Sequence, residues 1–598
     1  MTAQAHHAIR DDLIRQEKRE INAIAMEVFS NRMLSITETM AIQMMRSSFS
    51  TQIKERRDFS VGIFDAGGNL IAQGTHIPLH LGSLLGATEA LLERYSLSDM
   101  AEGDAFICND PYLAGGTHLP DIAVITPVFI EGRIMAFAAN IGHHSDIGGS
   151  VPGSISAKSR SVFEEGLRIP IIRIVRAGVL DEDLLNLISN NSRLSEERRL
   201  DIQVQIAVNA RGGDETRALF ERMGVDEAQA AINDVLYYTS ERLRRRIESL
   251  PKGSFSFTTW LDDDGSGSDP LPLVATVSPR GDTLHIDFEG TGPQAQGALN
   301  VPRNALRATV YYCIKALLDP DLVANSGMFE PLVISAPEGS IANPNFPAAC
   351  GARSITCQKL AGAVFGAFRA LLPTERLVAS SNDLLPTISF SAAKLNGGLY
   401  HYGETIGGGS GARHDRDGMD AIHVHVTNSL NLPVEALENE FPFLCDEYSL
   451  VVDSGGAGRQ RGGLGIARQI RALQDGTIVS VRSDSYIHGA EGIDGGGTGG
   501  LSSLTRNFGT SGQEALPLKV SYLVIGAGES IRIHTPGGGG FGSPSERSLD
   551  GIARDLRDEL VSRHAAFTDY GADRVEAALK LIELELGRSP LRKPPSQL

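Results

Sequence analysis

Cysteine is scarce in this sequence, and the few cysteines lie far apart. The 598 residues include Cys108, Cys313, Cys350, Cys357 and Cys445, with no Cys-x-x-Cys motif. An odd number of scattered cysteines in a large chain does not indicate a disulfide framework. We therefore expect reduced thiols in a cytoplasmic protein, with Cys350 and Cys357 as buried apolar residues.

Long hydrophobic runs are absent as well. No stretch of 18 consecutive apolar residues occurs, so we expect no transmembrane helix. The opening sequence MTAQAHHAIRDDLIRQEKRE has no apolar core of the kind found in signal peptides. Both observations favour a cytoplasmic protein.

Positive charge is in deficit. The chain carries 55 lysines and arginines against 73 aspartates and glutamates, which gives a net charge of −18. An acidic surface repels phosphate backbones and anionic lipids. We expect neither nucleic acid nor a membrane as a partner.

Two sequence motifs are missing, one for nucleotide binding and one for a nucleophilic serine. The matches to a third motif, for dinucleotide binding, are unconvincing. The P-loop pattern G-x-x-x-x-G-K-[ST] and the nucleophile pattern G-x-S-x-G do not occur. Glycine is abundant, with 65 residues, and the runs at 495–500 and 537–542 match G-x-G-x-x-G. Neither run opens a helix inside a strand–helix–strand unit, so dinucleotide binding is disfavoured.

Composition and periodicity together predict a mixed α+β fold. Hydrophobic residues make up 41% and charged residues 21%, as in ordinary globular proteins. The pattern fits neither a Rossmann fold nor a barrel. We divide the chain into an N-terminal α/β domain with the site motifs (1–250), a central α+β domain (251–400), a glycine-rich β domain (401–548) and a helical segment with a tail (549–598).

Local patterns predict the elements around the candidate site. Residues 59–74 read as a hairpin with its turn at 65–69, and residues 121–141 read as two apolar strands that meet at Glu131 and Gly132. Apolar spacing predicts strands over 254–290 and helices over 11–48 (with Ser35 or Thr37 as a second N-cap), 182–248, 304–318, 353–372 and 549–587.

Ligand-type side chains concentrate between residues 104 and 146. His118 and Asp121 lie at the start of the apolar hairpin, and His143 follows its second strand. An antiparallel hairpin returns its far end beside its start, so we expect His143 to lie near the other two. Two imidazoles and a carboxylate suit a divalent metal with open coordination positions. The alternative is that these side chains only hydrogen-bond to one another and stiffen two turns.

Two further candidates adjoin this group. His144 follows His143 directly, and adjacent residues on a strand point to opposite faces, so only one of them is expected to be a ligand. The other could support the ligands, act as a general base, or pack in the core. Asp58, in the sequence RRDFS, is a candidate carboxylate, although its surroundings favour a salt bridge to Arg56 or Arg57.

Seven segments along the chain carry a family likeness. They are NDPYLAGGTHLPD (109–121), IGHHSDIGG (141–149), EEGLRIPIIRIV (164–175), DFEGTGPQAQGALN (287–300), APEGSIANPNFPA (336–348), GRQRGGLG (458–465) and TPGGGGFG (535–542). Together they resemble the B subunit of the hydantoinase/oxoprolinase family. That family includes N-methylhydantoinases, 5-oxoprolinases, lactam hydrolases, and the related acetone and acetophenone carboxylases.

The resemblance implies a two-part enzyme. ATP is used by a separate A-type subunit, which phosphorylates an amide or carbonyl oxygen, or makes carboxyphosphate. The B subunit carries a divalent metal, Zn or Mn, and completes the reaction. The family's metal ligands correspond to Asp58, His118, Asp121 and His143. In that scheme His144 or Asp146 moves the proton.

Three functions remain open from the sequence. The leading hypothesis is ATP-dependent opening of a cyclic amide such as a hydantoin, 5-oxoproline or another lactam. The alternative is a subunit of an ATP-dependent ketone carboxylase, in which the same metal binds an enolate. A third reading is a scaffold subunit whose histidines are architectural.

The C-terminal helix bears on assembly. Residues 573–587 place Val575, Ala578, Leu579, Ile582 and Leu586 on one face, with Leu581 and Leu584 outside that stripe. We expect a hetero-oligomer with the A-type subunit, built on B–B dimers. The alternative is that this helix docks only on its own domain.

Overall fold

A computed structural model describes residues 21–74, 77–394 and 397–588. Helices and mostly antiparallel sheets are mixed along the chain, which confirms the predicted α+β class. Among the described residues, no helix has the length and apolar character to cross a lipid bilayer. The division into four domains stays a prediction.

The helices are α1 (Ala23–Ser47), α2 (Thr51–Lys54), α3 (His80–Arg94), α4 (Glu182–Asn190), α5 (Ser195–Met223), α6 (Val225–Glu248), α7 (Arg303–Leu318), α8 (Arg353–Phe368), α9 (Val434–Glu440), α10 (Leu549–Arg557), α11 (Arg563–Tyr570) and α12 (Ala572–Arg588). The predicted helices at 182–248, 304–318, 353–372 and 549–587 are thus confirmed, with breaks between α4, α5 and α6 and between α10, α11 and α12.

The strands are β1 (Phe59–Asp65), β2 (Leu70–Gln73), β3 (Ala105–Cys108), β4 (Asp121–Ile130), β5 (Arg133–His143), β6 (Ile172–Arg176), β7 (Val179–Leu180), β8 (Phe255–Leu261), β9 (Leu271–Arg280), β10 (Thr283–Asp287), β11 (Leu332–Ser335), β12 (Thr387–Ala393), β13 (Leu399–Thr405), β14 (Phe443–Leu450), β15 (Ile466–Ala472), β16 (Thr477–Arg482), β17 (Ser503–Arg506), β18 (Glu514–Leu516), β19 (Lys519–Ile525) and β20 (Ser530–His534).

The first sheet is antiparallel and has the order β2-β1-β5-β4-β3-β6-β7. Its middle strands are buried on both faces, because helices cover each side. Along β5, Ala136 and Ala138 join the core formed with α1, α5 and α6, whereas Phe137 and Ala139 join the core formed with α3 and α7. This double burial explains why β4 and β5 read as continuous apolar runs.

Helix α1, which packs on the first sheet, differs from the prediction at its start. Helix α1 is continuous from Ala23 to Ser47, so the second N-cap at Ser35 or Thr37 is wrong; the Thr37 hydroxyl donates to the Leu34 carbonyl within the helix. Residues 11–20 of the predicted helix lie outside the described residues, as does the tail at 589–598.

The rest of the chain adds three smaller sheets. One has the order β11-β10-β9-β8 and packs under α8. The third sheet (β13-β12-β16-β19) and the fourth sheet (β14-β15-β20-β17-β18) share one apolar core, so they form a sandwich. The largest core of the chain combines residues from both sides of position 250.

The C-terminal helices pack on one another. Val575 and Ala578 of α12 are fully buried in a cluster with α10 and α11, whereas Leu584 is exposed. Val575 and Ala578, the first half of the predicted apolar stripe, therefore pack on helices of the same chain. Arg547 anchors the group through ion pairs with Asp555 and Asp417.

The glycine-rich loops of the C-terminal half pack backbone against backbone. A Cβ atom added at Gly409 would overlap the carbonyl oxygen of Gly463, and one at Gly465 would overlap that of Thr535. Glycine is required at such positions because no side chain fits between two main chains. Gly537, in one of the two runs that match G-x-G-x-x-G, is packed in the same way against the carbonyl oxygen of Ser454, so close backbone packing accounts for that run.

We expect Gly409→Ala to lower the free energy of unfolding by about 3 kcal/mol, because main-chain atoms cannot move aside as side chains do. The measurement is the urea midpoint of unfolding. The control is Gly512→Ala, whose added Cβ meets nothing closer than 3.8 Å. Equal midpoints for the two variants would contradict this account of the glycine clusters.

Candidate metal centre

The apolar hairpin positions the candidate ligands. Strands β4 and β5 pair antiparallel from Ile130 opposite Arg133 to Asp121 opposite His143. His118 lies one turn before β4, and its carbonyl accepts the Asp121 amide at 3.3 Å. The chain thus brings together His118, Asp121 and His143, as the hairpin argument predicts. Their role as metal ligands stays a prediction.

The three side chains form a compact triangle, which we call the His–Asp–His cluster. His118 Nε2 lies 2.9 Å from Asp121 Oδ1, His143 Nδ1 lies 3.0 Å from the same oxygen, and the two nitrogens are 3.2 Å apart. In a tetrahedral site with bonds of about 2.0–2.1 Å, neighbouring donor atoms are about 3.3 Å apart. In the described part of the chain, no other group of His, Cys, Asp and Glu side chains has metal-site geometry.

The protonation state of His118 also suits a cation. Its Nδ1 lies 3.1 Å from the Gly351 carbonyl oxygen, which can only accept, so Nδ1 carries the proton and Nε2 keeps its lone pair. Burial, with Arg353 nearby, lowers the pKa of His118 to about 3. The imidazole is therefore neutral. His118 Nε2, His143 Nδ1 and Asp121 Oδ1 face one another with more lone pairs than protons among them. These residues fit a divalent metal.

Two hydrogen-bond donors on the side away from the cluster stabilise Asp121 as a carboxylate. Its Oδ2 accepts from Arg353 at 2.7 Å and from the Thr117 hydroxyl at 3.1 Å, so Oδ1 is the oxygen in the cluster. Burial opposes ionisation, but the groups around the carboxylate, the charged Arg353 among them, outweigh it and hold the pKa of Asp121 well below its usual range. Arg353 begins helix α8, which fixes the guanidinium relative to the hairpin.

Asp58 lies beside the cluster, just before strand β1. Its backbone carbonyl accepts the amide of His143 at 2.9 Å, and its Oδ2 accepts from the Gln52 side chain at 2.9 Å. Arg56 instead donates to Gln52, to the Gly403 carbonyl and to Thr405. The lining of the central pocket includes both Asp58 and the cluster. The group with metal-site geometry contains His118, Asp121 and His143 but not Asp58, so the role of Asp58 as a fourth ligand stays a prediction.

His80 is a site residue that the sequence analysis missed. Its Nε2 lies 3.5 Å from Asp58 Oδ1 and 3.6 Å from Asp121 Oδ1, and its Nδ1 lies 3.3 Å from the Ser60 hydroxyl. The imidazole therefore lies between the two carboxylates. Burial lowers its pKa, although both carboxylates oppose that shift. A single histidine at the start of α3 carries no spacing signal in the sequence.

The structure places the two predicted proton-transfer residues outside the pocket. His144 points to the opposite face of the strand end, where Nε2 meets Gln205 at 2.9 Å and Nδ1 contacts Arg198. Asp146 accepts from Arg193 at 2.9 Å and from the backbone amide of Gly153 at 2.9 Å. Both side chains are buried and occupied by these partners, so their geometry supports structural roles.

The cluster opens into a pocket with about 810 Å³ of empty space, part of which is open to solvent. One wall of the pocket is a face of the third sheet, and along β12 polar residues on this face alternate with apolar residues on the other. Thr387 and Ser389 of β12, His401 and Thr405 of β13, and Arg482 of β16 line the pocket. Ile388, Phe390, Tyr402 and Val481 point to the sandwich core. The pocket therefore has a hydrophilic wall.

We expect Arg353→Gln to weaken metal affinity by about 10-fold, because a partner that orients a ligand carboxylate typically contributes that much. The measurement is competition for Zn or Mn against a chelator of known affinity. Arg416→Gln is the control, since Arg416 is exposed and pairs with its neighbour Asp415. Unchanged affinity in Arg353→Gln would show that Asp121 needs no such support.

Residues 22–544 match the family model described as hydantoinase B/oxoprolinase. The match covers most of the chain, and the chain belongs to that family. This confirms the resemblance carried by the seven sequence segments.

Two curated relatives give the family context. The chain is 33% identical over 551 residues to 5-oxoprolinase 1 of Arabidopsis thaliana, covering 87% of this chain and 42% of that protein. It therefore spans about two-fifths of that relative's length. It is 29% identical over 574 residues to a protein of Pseudomonas sp. strain NS671 named as the B subunit of a D-/L-hydantoinase, covering 93% of this chain and 96% of that one.

Two solved structures share the fold. The ATP-dependent caprolactamase from Pseudomonas jessenii matches with a TM-score of 0.86 and 27% identity, over 95% of this chain and 100% of that one. A nucleotide-free acetone carboxylase structure matches with a TM-score of 0.85 and 18% identity, over 96% of this chain and 84% of that one. The second likeness shows a common fold only.

Proposed function

We propose that this chain is the B subunit of an ATP-dependent cyclic amidase. The observation that carries the proposal is the His–Asp–His cluster, which opens into a pocket with a hydrophilic wall. Family membership, together with relatives named as 5-oxoprolinase, caprolactamase and the B subunit of a hydantoinase, supports amide chemistry. The substrate in this proposal is a small lactam or hydantoin whose carbonyl oxygen the partner subunit has phosphorylated.

The ligand set in this proposal is Asp58, His118, Asp121 and His143. A divalent ion bound there, Zn or Mn, supplies Lewis acidity toward a water or a carbonyl oxygen. The chain's own residues prepare that site: Gly351 orients the His118 ring, and Arg353 leaves one Asp121 oxygen facing the cluster. His80 Nε2 lies between two carboxylates and is the group placed to hold a proton there.

The need for activation follows from amide chemistry. Resonance stabilises the C–N bond, and phosphorylation of the carbonyl oxygen turns its carbon into an electrophile with a good leaving group. A phosphorylated intermediate is destroyed by bulk water, so the two active sites must lie close together. We propose a hetero-oligomer with an A-type ATP-binding subunit, built on B–B dimers. Light scattering of the mixed and separate subunits measures this assembly.

The test of the function is turnover by the assembled enzyme. With the A-type subunit and ATP, release of ADP and phosphate should require a lactam and should not require bicarbonate. Ketone carboxylation is the second candidate, since acetone carboxylase shares the fold. Incorporation of labelled bicarbonate into a ketone, without ring opening of any lactam, would replace the first proposal with the second.

A further inference from the structure

Arg482 stands at the pocket end of strand β16. It pairs across the third sheet with Thr387 of β12, which in turn pairs with Thr405 of β13. Directly opposed residues in a sheet share one face, so the guanidinium and the two hydroxyls belong to the same wall. All three residues line the central pocket.

This arginine is buried and lacks a counter-charge. Its exposed fraction is 8%, and its one hydrogen bond among the described residues is a long contact of 3.5 Å from Nη1 to the Gly351 carbonyl. Among the described residues no carboxylate forms an ion pair with it; nearby Glu165 instead accepts from the backbone amides of Cys350 and Gly351. A guanidinium left unpaired in a buried site is costly unless an anion joins it.

The neighbouring charges do not supply that anion. Arg353 is paired with Asp121, and Arg56 donates to neutral groups and a carbonyl. Three arginines therefore line a pocket with two carboxylates, Asp58 and Asp121, and a bound divalent cation would add to the positive excess. Burial, with Arg353 close by, lowers the pKa of Arg482 to about 9.

The position of Arg482 ties it to the candidate metal centre. The Gly351 carbonyl that receives its long hydrogen bond also accepts from His118 Nδ1 at 3.1 Å. One carbonyl group therefore separates the guanidinium from a cluster residue. A ligand that binds the cluster at one end can therefore place a charged group, located a few bonds along the molecule, next to Arg482.

We propose that Arg482, with the hydroxyl of Thr387, binds an oxyanion of the ligand, either a carboxylate or a phosphoryl group; the Thr405 hydroxyl is already occupied by Arg56 and Ser429. This inference rests on the proposed function for the nature of the ligand. A planar guanidinium suits both groups, because it can donate two parallel hydrogen bonds to two oxygens of either one. The site would thus select substrates or intermediates that carry negative charge next to the reacting carbonyl.

The test is isothermal titration of the full metal-loaded chain with three probes: inorganic phosphate, L-5-oxoproline, and the uncharged lactam pyrrolidin-2-one. We expect Arg482→Gln to weaken binding of phosphate, of 5-oxoproline, or of both by about 10-fold or more, and to leave pyrrolidin-2-one unchanged. Loss for phosphate alone identifies a phosphoryl site, loss for 5-oxoproline alone a carboxylate site, and loss for both a shared oxyanion site.

The matched control is Arg471→Gln, a strand arginine of the fourth sheet that pairs with Asp446. Arg482→Lys keeps the charge and should bind the anions more weakly than the native chain, since it loses the two-pronged geometry; this comparison stands even where Arg482→Gln does not fold. The proposal is overturned if the native chain binds neither anion, if both Arg482 variants bind them as the native chain does, or if pyrrolidin-2-one binding falls equally. The assay uses no ATP and no partner, so absence of lactam turnover with intact Arg482-dependent binding would refute only the proposed function.

Discussion

Replacing His118 and His143 together with alanine is expected to remove most of the divalent metal from the chain. The native protein should retain one tightly held Zn or Mn ion per chain after dialysis. The double variant keeps only Asp121 and Asp58 of the proposed ligands, and loss of two ligands should weaken affinity by more than about 100-fold, beyond the effect of losing a supporting residue. Elemental analysis of dialysed protein measures this.

The fold should survive these substitutions, because the cluster lies at the rim of a sheet whose core is apolar on both faces. The control is His564→Ala, since His564 is exposed on α11, at the far end of the sequence. It should keep full metal content. Native metal content in the double variant would show that the ion binds elsewhere.

ATP turnover is expected to depend entirely on a partner. The purified chain alone should release no ADP above background, with or without a lactam, and activity should appear when an A-type subunit is added. The physical reason is the division of chemistry in the proposed function, in which this chain acts on an already activated carbonyl. Coupled assays of ADP release, run on the separate and mixed subunits, measure the difference.

A matched pair of samples sharpens this second prediction. The A-type subunit mixed with the His118→Ala/His143→Ala chain should lose lactam-dependent ring opening while the two subunits still associate. Stoichiometric ATP hydrolysis and ring opening by the single purified chain would contradict the division of labour.

Local sequence patterns predict the cluster well because its geometry is local. Asp121 and His143 are 22 residues apart, and a tight turn at Glu131 and Gly132 fixes which residues of β4 and β5 face each other. Once both strands are recognised, the register brings the two side chains together. His118 follows because only two residues separate it from Asp121.

The groups that surround the cluster could not be predicted in the same way. Arg353 reaches Asp121 across 232 positions of sequence, and Arg482 reaches the Gly351 carbonyl across 131. Such contacts depend on how separate sheets pack. One signal was present: hydroxyl and apolar residues alternate over 387–391, which predicts a strand with one polar face but not what that face meets.

The sequence pattern predicts side-chain orientation only partly in helix α1 and correctly at His144. In the predicted helix over 11–48, Ile24 and Val28 fall on the apolar 3.6-residue period, but they are exposed, and Met26 and Phe29 face the core instead. Met33, Ile36, Met40 and Met44 continue the same period and are buried, so the pattern predicts the buried face only for the second half of the helix. For His144, strand alternation correctly turns it away from His143, and Arg198 and Gln205 then occupy both ring nitrogens.

In the proposed function, the His–Asp–His cluster of this chain completes ring opening of a lactam that the partner has activated. The most direct measurement of that role is the amount of ring-opened product formed per ADP in the mixed enzyme, with the native chain and with His118→Ala/His143→Ala. We expect one product per ADP for the native chain and none for the double variant. Equal product yield from both chains would contradict the role of the cluster.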